Sequence, residues 1–245
     1  KAIKDKTIDF TMDISPQNIL SEKLSTEITI TNIPTINTVE LFRRDGEPTL
    51  ANPSLLAIIN KSIDKTMVID TVENGYGIPF GKTEGVSSEQ DSPTPLEKTQ
   101  SDLAKLGYTV KDGVLNKGGT PVVMGIATLN TTRLIATSRA LSQQLATLGI
   151  ISEVQPFDPG TFQDELNAAG FSFVLTDNTF KLPSNYSRGI PLYTITSLLV
   201  ANPKTHGVSQ KEIRTLPLRY ANAAEWHRQT DRVWKWLIRK DKQEQ

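Results

Sequence analysis

The sequence predicts an α/β fold with a βαβαβ core inside a mixed sheet. Three features of the chain carry that prediction. First, three short apolar runs, Val122 to Ala127, Ile150 to Gln155 and Phe171 to Thr176, have the length of buried strands. Second, between the first two runs Leu141, Leu145 and Leu148 recur at i, i+4 and i+7. Gly149 follows them, where a helix C-cap favours a residue free to take positive φ. Third, after the second run Asp158 stands at an N-cap and Pro159 at a first helical position. Phe162, Leu166 and Ala169 then form an apolar stripe that Gly170 ends. Strand, helix, strand, helix, strand makes two βαβ units. Each crossover is long enough for a parallel connection, and such connections are nearly always right-handed.

The remaining elements follow in order. Ile8 to Met12 reads as a short strand and Pro16 to Leu24 as a helical turn. Glu27 to Asn32 alternates Ile28 and Ile30 with threonines, the pattern of a half-buried strand, and Val39 to Arg43 reads as another. Asn52 and Pro53 set up an N-cap and first helical position. Leu55, Leu56, Ile58, Ile59 and Ile63 continue as the apolar face of that helix. Residues 81–95 are rich in Ser, Thr, Gly and Pro, a polar surface loop. Thr94 and Pro95 open a helix whose Leu96, Leu103 and Leu106 face the core and which Gly107 closes. Tyr108 to Leu115 is a hairpin around Asp112-Gly113, a favoured two-residue turn. Beyond Thr176, residues 177–188 read as a loop, and Gly189 to Tyr193 with Ile195 to Val200 as a returning strand. Ala221 to Lys240 has helical character, with Trp226, Val233 and Leu237 on one face and a basic remainder. It reads as a surface helix or as a helix for a membrane surface or partner.

Composition narrows the function. At 245 residues the chain buries roughly 70–75% of its unfolded surface by size scaling. Its formal net charge is zero, which argues against a nucleic-acid binder. It has no cysteine, so neither disulfides nor thiolate metal sites. It holds no run of eighteen apolar residues of the kind that spans a bilayer. It opens at Lys1 without a methionine or a signal peptide, and the expectation is a processed or shortened chain.

Chemical motifs are sparse. Gly81-Lys82-Thr83 ends like a phosphate loop, but the position that needs the first glycine is Tyr76. Of the two histidines, His206 and His227, neither has a triad-like or ligand-spaced neighbour. No Gly-x-Ser-x-Gly elbow occurs, Asp102, Asp112 and Glu153 are scattered, and no metal-ligand spacing exists. No catalytic residue, metal ligand or cofactor is expected. What remains is ligand binding at the carboxyl ends of the strands, where α/β folds hold ligands. Those ends are Thr128 to Arg133, Gln155 to Asp158 and Thr176 to Arg188.

Several segments, taken together, resemble the C-terminal lobe of the family 5 extracellular solute-binding proteins of ABC importers. The core carries Leu-Ala-Thr-Leu-Gly-Ile (145–150), Phe-Asp-Pro (157–159) and Ala-Gly-Phe-Ser-Phe (169–173), with Ser172 where members have Asp. Upstream stand Ile8-Asp9, Ile33-Pro34-Thr35, Leu41-Phe42, Asn52-Pro53-Ser54-Leu55-Leu56, Ser62-Ile63-Asp64 and Gly75-Tyr76-Gly77-Ile78-Pro79; downstream stands Ile190-Pro191-Leu192-Tyr193. Arg43 and Leu56 replace the family's Asn and Arg. The resemblance covers about residues 5–210 and implies a class II periplasmic-binding-protein-like lobe over residues 1–215, with residues 216–245 as a basic, Trp-containing tail. It implies a non-catalytic substrate-binding component at the outer face of the cytoplasmic membrane or in the periplasm, as a lipoprotein or exported protein. Such a component captures a peptide or similar small solute and docks on an ABC permease. Its N-terminal lobe is expected to be missing from this chain. Asn130, Arg133, Asp177, Asn178 and Arg188 are the residues expected at the ligand, Arg133 near the family's cation for a ligand carboxylate and Asp177 near its amine-binding Asp. Without the resemblance, each is a solvated loop group. The alternative is a cell-surface interaction or scaffold module that uses the Trp-containing tail.

Overall fold

In the computed structural model, residues 10–14, 28–47, 52–80, 92–169, 171–202, 205–206 and 227–228 are described. In chain order the elements are β1 (Phe10–Ile14), β2 (Thr29–Arg44), α1 (Pro53–Ser62), α2 (Lys65–Glu73), β3 (Gly77–Pro79), α3 (Leu96–Lys105), β4 (Tyr108–Lys111), β5 (Val114–Lys117), β6 (Thr120–Pro121), β7 (Val123–Leu129), α4 (Thr132–Thr147), β8 (Ile151–Phe157), α5 (Phe162–Ala169), β9 (Phe173–Asp177), β10 (Tyr186–Ala201), β11 (Thr205–His206) and β12 (His227–Arg228). They divide into two units, residues 36–196 and residues 1–35 with 197–245.

The larger unit holds the core. Its sheet runs β10-β2-β9-β7-β8, with β3 paired to β10. The strand β7 is parallel to both neighbours, Leu129 opposite Phe157 on one side and Thr128 opposite Leu175 on the other. The expected βαβαβ core is therefore present, and β2 joins β9 antiparallel, which makes the sheet mixed. From β7 the chain steps to β8 through α4, then back across β7 to β9 through α5. With right-handed crossovers, that reversal sends α4 and α5 to opposite faces of the sheet. Strand β7 is covered on both faces, with Met124, Ile126, Ala127 and Leu129 all buried. Among the described residues strand β8 pairs with β7 alone in this sheet, and it alternates, with Ile151, Glu153 and Gln155 exposed. Phe162 of α5 packs near Phe157 and Phe180, ring centroids 6.2 and 5.0 Å away.

Helix α4 begins with Thr131 accepting from the Leu134 amide and buries Leu134, Leu141 and Leu145. It ends as expected at Gly149, where φ is +79°. The same glycine lets the β4–β5 hairpin close against the helix end, with the Leu115 amide donating to the Gly149 carbonyl at 2.7 Å. The hairpin turns at Asp112 (φ 52°) and Gly113 (φ 78°), the conformation a type I′ turn requires.

In the smaller unit, β1 pairs antiparallel with the end of β10 (Phe10 opposite Ala201), and β11 pairs antiparallel with β12. Of the strand expected at 8–12, residues 8 and 9 lie outside the described residues. So do the turn at 16–24, residues 81–91 of the polar loop, and all but two residues of the tail. Those two, His227 and Arg228, are a strand paired with Thr205–His206, not helix. The backbone partner lies some twenty residues back, where helical periodicity gives no sign of it.

Other expectations change. The two strands expected at 27–32 and 39–43 are one, because Pro34 has a strand-compatible φ and lacks only a donor. Helix α2 was not anticipated. Asp64 caps it through the Met67 amide, and Val68, Ile69 and Val72 form a short buried stripe. Leu96 does not face the core; it is exposed, and Thr99 takes that place with Leu103. Helix α5 starts at Phe162 rather than Pro159. The Asp158 carbonyl accepts from the Thr161 and Phe162 amides while residues 159–161 form a turn.

The Gly149 contact predicts a measurable asymmetry. A Cβ there would lie 2.7 Å from the Leu115 nitrogen and 2.9 Å from the Gly113 oxygen. Gly149→Ala is expected to lose about 3 kcal/mol in urea unfolding. Gly118→Ala, at φ +58° with open space around it, is expected to lose only about 1 kcal/mol.

Candidate functional site

The parallel strands β7 and β8 end flush, Leu129 opposite Phe157. With right-handed crossovers their outgoing loops lead to helices on opposite faces, the topology in which α/β sheets bind ligands at the carboxyl ends. Asn130 follows directly on the end of β7. Its amide nitrogen donates to the Phe157 carbonyl at 2.7 Å, and its side-chain Nδ2 donates to Asp158 Oδ1 at 3.2 Å. Both side chains are exposed, so these strand ends offer a carboxylate with one oxygen engaged and an amide oxygen beside it.

Arg133 is not on the loop where the sequence puts it but in the first turn of α4. Residues 132 and onward take up helix because Thr131 caps them. Its Nε donates to Glu73 Oε1 at 2.5 Å. A third of the Arg133 side chain is exposed, whereas Glu73 is 1% exposed. The Tyr193 hydroxyl, fully buried on β10, lies 3.3 Å from the same Glu73 oxygen and 3.0 Å from Thr137 Oγ1. Thr137 Oγ1 also reaches the Arg133 carbonyl. A cation on α4, an anion on α2 and a phenol on β10 thus form one network. Burial, and then the neighbouring carboxylate, push the Tyr193 phenol well above its ordinary value.

The other expected residues have local partners. Asp177 accepts from the amide and hydroxyl of its neighbour Thr179. Asn178 staples its loop to β2, accepting from the Thr38 amide at 3.0 Å and donating to the Ile36 carbonyl at 2.9 Å. Arg188 lies in β10 rather than in a loop, because the backbone of 185–189 lies along β2, as the Asp45 amide donating to the Asn185 carbonyl shows. Its Nε donates to Glu40 Oε2 at 3.1 Å, and the guanidinium stands 5.9 Å from the Phe80 ring centroid. The five residues therefore join separate partners rather than one constellation. Glu73, Tyr193, Thr137 and Glu40 were not singled out from the sequence. Nothing in it signals them, since each partner is distant along the chain.

Two cavities lie elsewhere. One of about 550 Å³ opens along Val123, Gly125 and Glu153 to Gln155, against Phe171. One of about 580 Å³ is lined by Lys61, Lys65 and Lys98 beside Asn60 and Phe80. Burial holds the Lys65 ammonium below its usual value. Among the described residues no group of three or more His, Cys, Asp or Glu could hold a metal, and no helix is long and apolar enough to cross a membrane.

Two consequences of the buried network can be measured. Arg133→Met leaves Glu73 charged and buried without its cation, and should lose about 3 kcal/mol in urea unfolding. That is the low end for a broken buried pair because Arg133 is partly in solvent. The double variant Glu73→Gln with Arg133→Met should recover part of that loss. Tyr193 sets a pH dependence. Its folded value lies above the ordinary 10.0, so the folded protein keeps the phenol proton after the unfolded chain has released it. The stabilisation is whole below pH about 10 and declines as pH rises past it, by at most about 1.4 kcal/mol per pH unit. Tyr193→Phe should remove that decline from an unfolding series between pH 8 and 11.

No family model matches the sequence, and no curated protein matches it. Solved structures do match. The nickel ABC transporter protein of Bacillus halodurans aligns with a TM-score of 0.68 at 12% identity, covering 86% of this chain and 57% of that one. An ABC transporter substrate-binding protein of Sinorhizobium meliloti aligns at 0.67 and 12%, covering 85% and 56%. The oligopeptide-binding protein AppA of Bacillus subtilis, solved with a nonapeptide, aligns at 0.59 and 12%, covering 94% and 57%. This chain spans little more than half the length of each. Over that part of their length it shares the mixed α/β fold of these solved structures.

Proposed function

We propose that this chain is one lobe of the non-catalytic substrate-binding component of an ABC importer. It captures a peptide or a similar small solute at the carboxyl ends of β7, β8 and β9, on the outer side of the cytoplasmic membrane. The observation that supports this reading is the pair of exposed groups at the ends of β7 and β8, where Asn130 Nδ2 donates to Asp158 Oδ1, with Arg133 following in the first turn of α4. A peptide needs a carboxylate for its amine and a cation for its carboxylate. Asp158 and Arg133 supply one of each, and the Glu73 carboxylate fixes the guanidinium in place. Asp177, Asn178 and Arg188 are proposed as the outer contacts at the end of β9 and on β10. Binding of this kind traps the solute between two lobes that close by a hinge. Half of such a clamp forfeits most of the contact area, so this chain binds weakly by itself. The permease is the proposed docking partner of the closed form.

The test is a titration of the isotope-labelled chain with tri- to pentapeptides, followed by amide chemical shifts. The expected result is a dissociation constant on the order of 1 mM, with shifts concentrated at Asn130 to Arg133 and at Asp158. A sub-micromolar constant for this chain would overturn lobe closure. Shifts that avoid the strand ends would overturn the site.

A further inference from the structure

Two buried oxygens stand on neighbouring strands without a hydrogen-bond partner among the described residues. Glu40 on β2 and Thr176 on β9 are directly opposite in the antiparallel ladder. Their side chains therefore share a face, with Cβ atoms about 5 Å apart. Glu40 is 1% exposed and Thr176 fully buried. Arg188 Nε binds one carboxylate oxygen of Glu40, Oε2. Its other oxygen, Oε1, and Thr176 Oγ1 are the partnerless pair.

We infer that Glu40 Oε1 and Thr176 Oγ1 together form a buried binding site for one small hydrogen-bond donor, a water molecule. The chemistry of the two groups selects it. A carboxylate only accepts, and a hydroxyl must donate one proton and can accept another. A water between them donates to Glu40 and exchanges a hydrogen bond with Thr176, which meets the two partners that a buried water requires. An ammonium ion has the same donor chemistry but fits less well. Arg188 already balances the Glu40 charge, and a second cation would be buried without a counter-charge. The site also has a positioning role. With its free oxygen solvated, Glu40 stays an effective anchor for Arg188, whose own side chain is 69% exposed. This inference stands apart from the solute-binding proposal.

A crystal structure of the protein at high resolution decides it. One solvent peak within hydrogen-bond distance of both oxygens is expected, and its absence overturns the inference. Thr176→Val deletes the hydroxyl at nearly constant volume and should lower the melting temperature by about 3 °C. It should also remove one long-lived water from the count given by oxygen-17 relaxation dispersion. Thr176→Ser keeps the hydroxyl and should keep that water, so the site remains testable even if the valine variant folds poorly. An unchanged count in Thr176→Val overturns the inference. Replacing sodium chloride with ammonium chloride at equal ionic strength should leave the melting temperature unchanged, and a rise specific to ammonium overturns water in favour of the cation.

Discussion

A central parallel strand must have neighbours on both edges and cover on both faces, and β7 is where this fold meets that demand. Its backbone is paired with β8 and β9 over most of its length. Its side chains are buried toward both α4 and α5. Because the chain steps one way from β7 and then back across it, right-handed crossovers send the two helices to opposite faces of the sheet. Burial of β7 and the direction of the helices are one geometric consequence.

Around that strand, charge is handled by burial in pairs. Glu73 and Glu40 are each almost wholly out of water, and each meets an arginine that keeps part of its side chain in solvent. A buried carboxylate alone would cost several kcal/mol of desolvation. An arginine at the rim lowers that cost and is itself held still. The pattern turns two flexible side chains near the strand ends into fixed cations. Tyr193 adds a hydrogen bond to Glu73 and ties α2 and α4 to β10, so the first turn of α4 is fastened at its side as well as capped by Thr131.

The three structures named above align at 12% identity, yet the TM-scores reach 0.68. Identity at that level says little about which side chain touches a solute. What the alignment shows is the shared fold. Ser172 and Arg43 stand where the family resemblance implies Asp and Asn, and in this chain Arg43 Nε binds Ser187 Oγ, a contact within the sheet.

The parallel core was legible in the sequence because its signals are local. A run of four to six apolar residues, a leucine every third or fourth position, and a glycine at positive φ each depend on neighbours within one or two turns. The Asn52 cap, the Asp112-Gly113 turn and the Gly149 stop belong to the same kind, and all are present. Helix α2 escaped because its apolar stripe is only three residues long, and the join across Pro34 escaped because a proline in a strand reads as a break. The place of Asn130 at a strand end was legible, since the end of a parallel strand is predictable once the strand is. The partners of Arg133 and Arg188 were not. Glu73 precedes Arg133 by 60 residues and Tyr193 by 120, and Glu40 precedes Arg188 by 148. Only the packing of α2, α4 and the sheet brings those groups within hydrogen-bond reach, because charge pairing depends on distance in space and leaves no period in the chain.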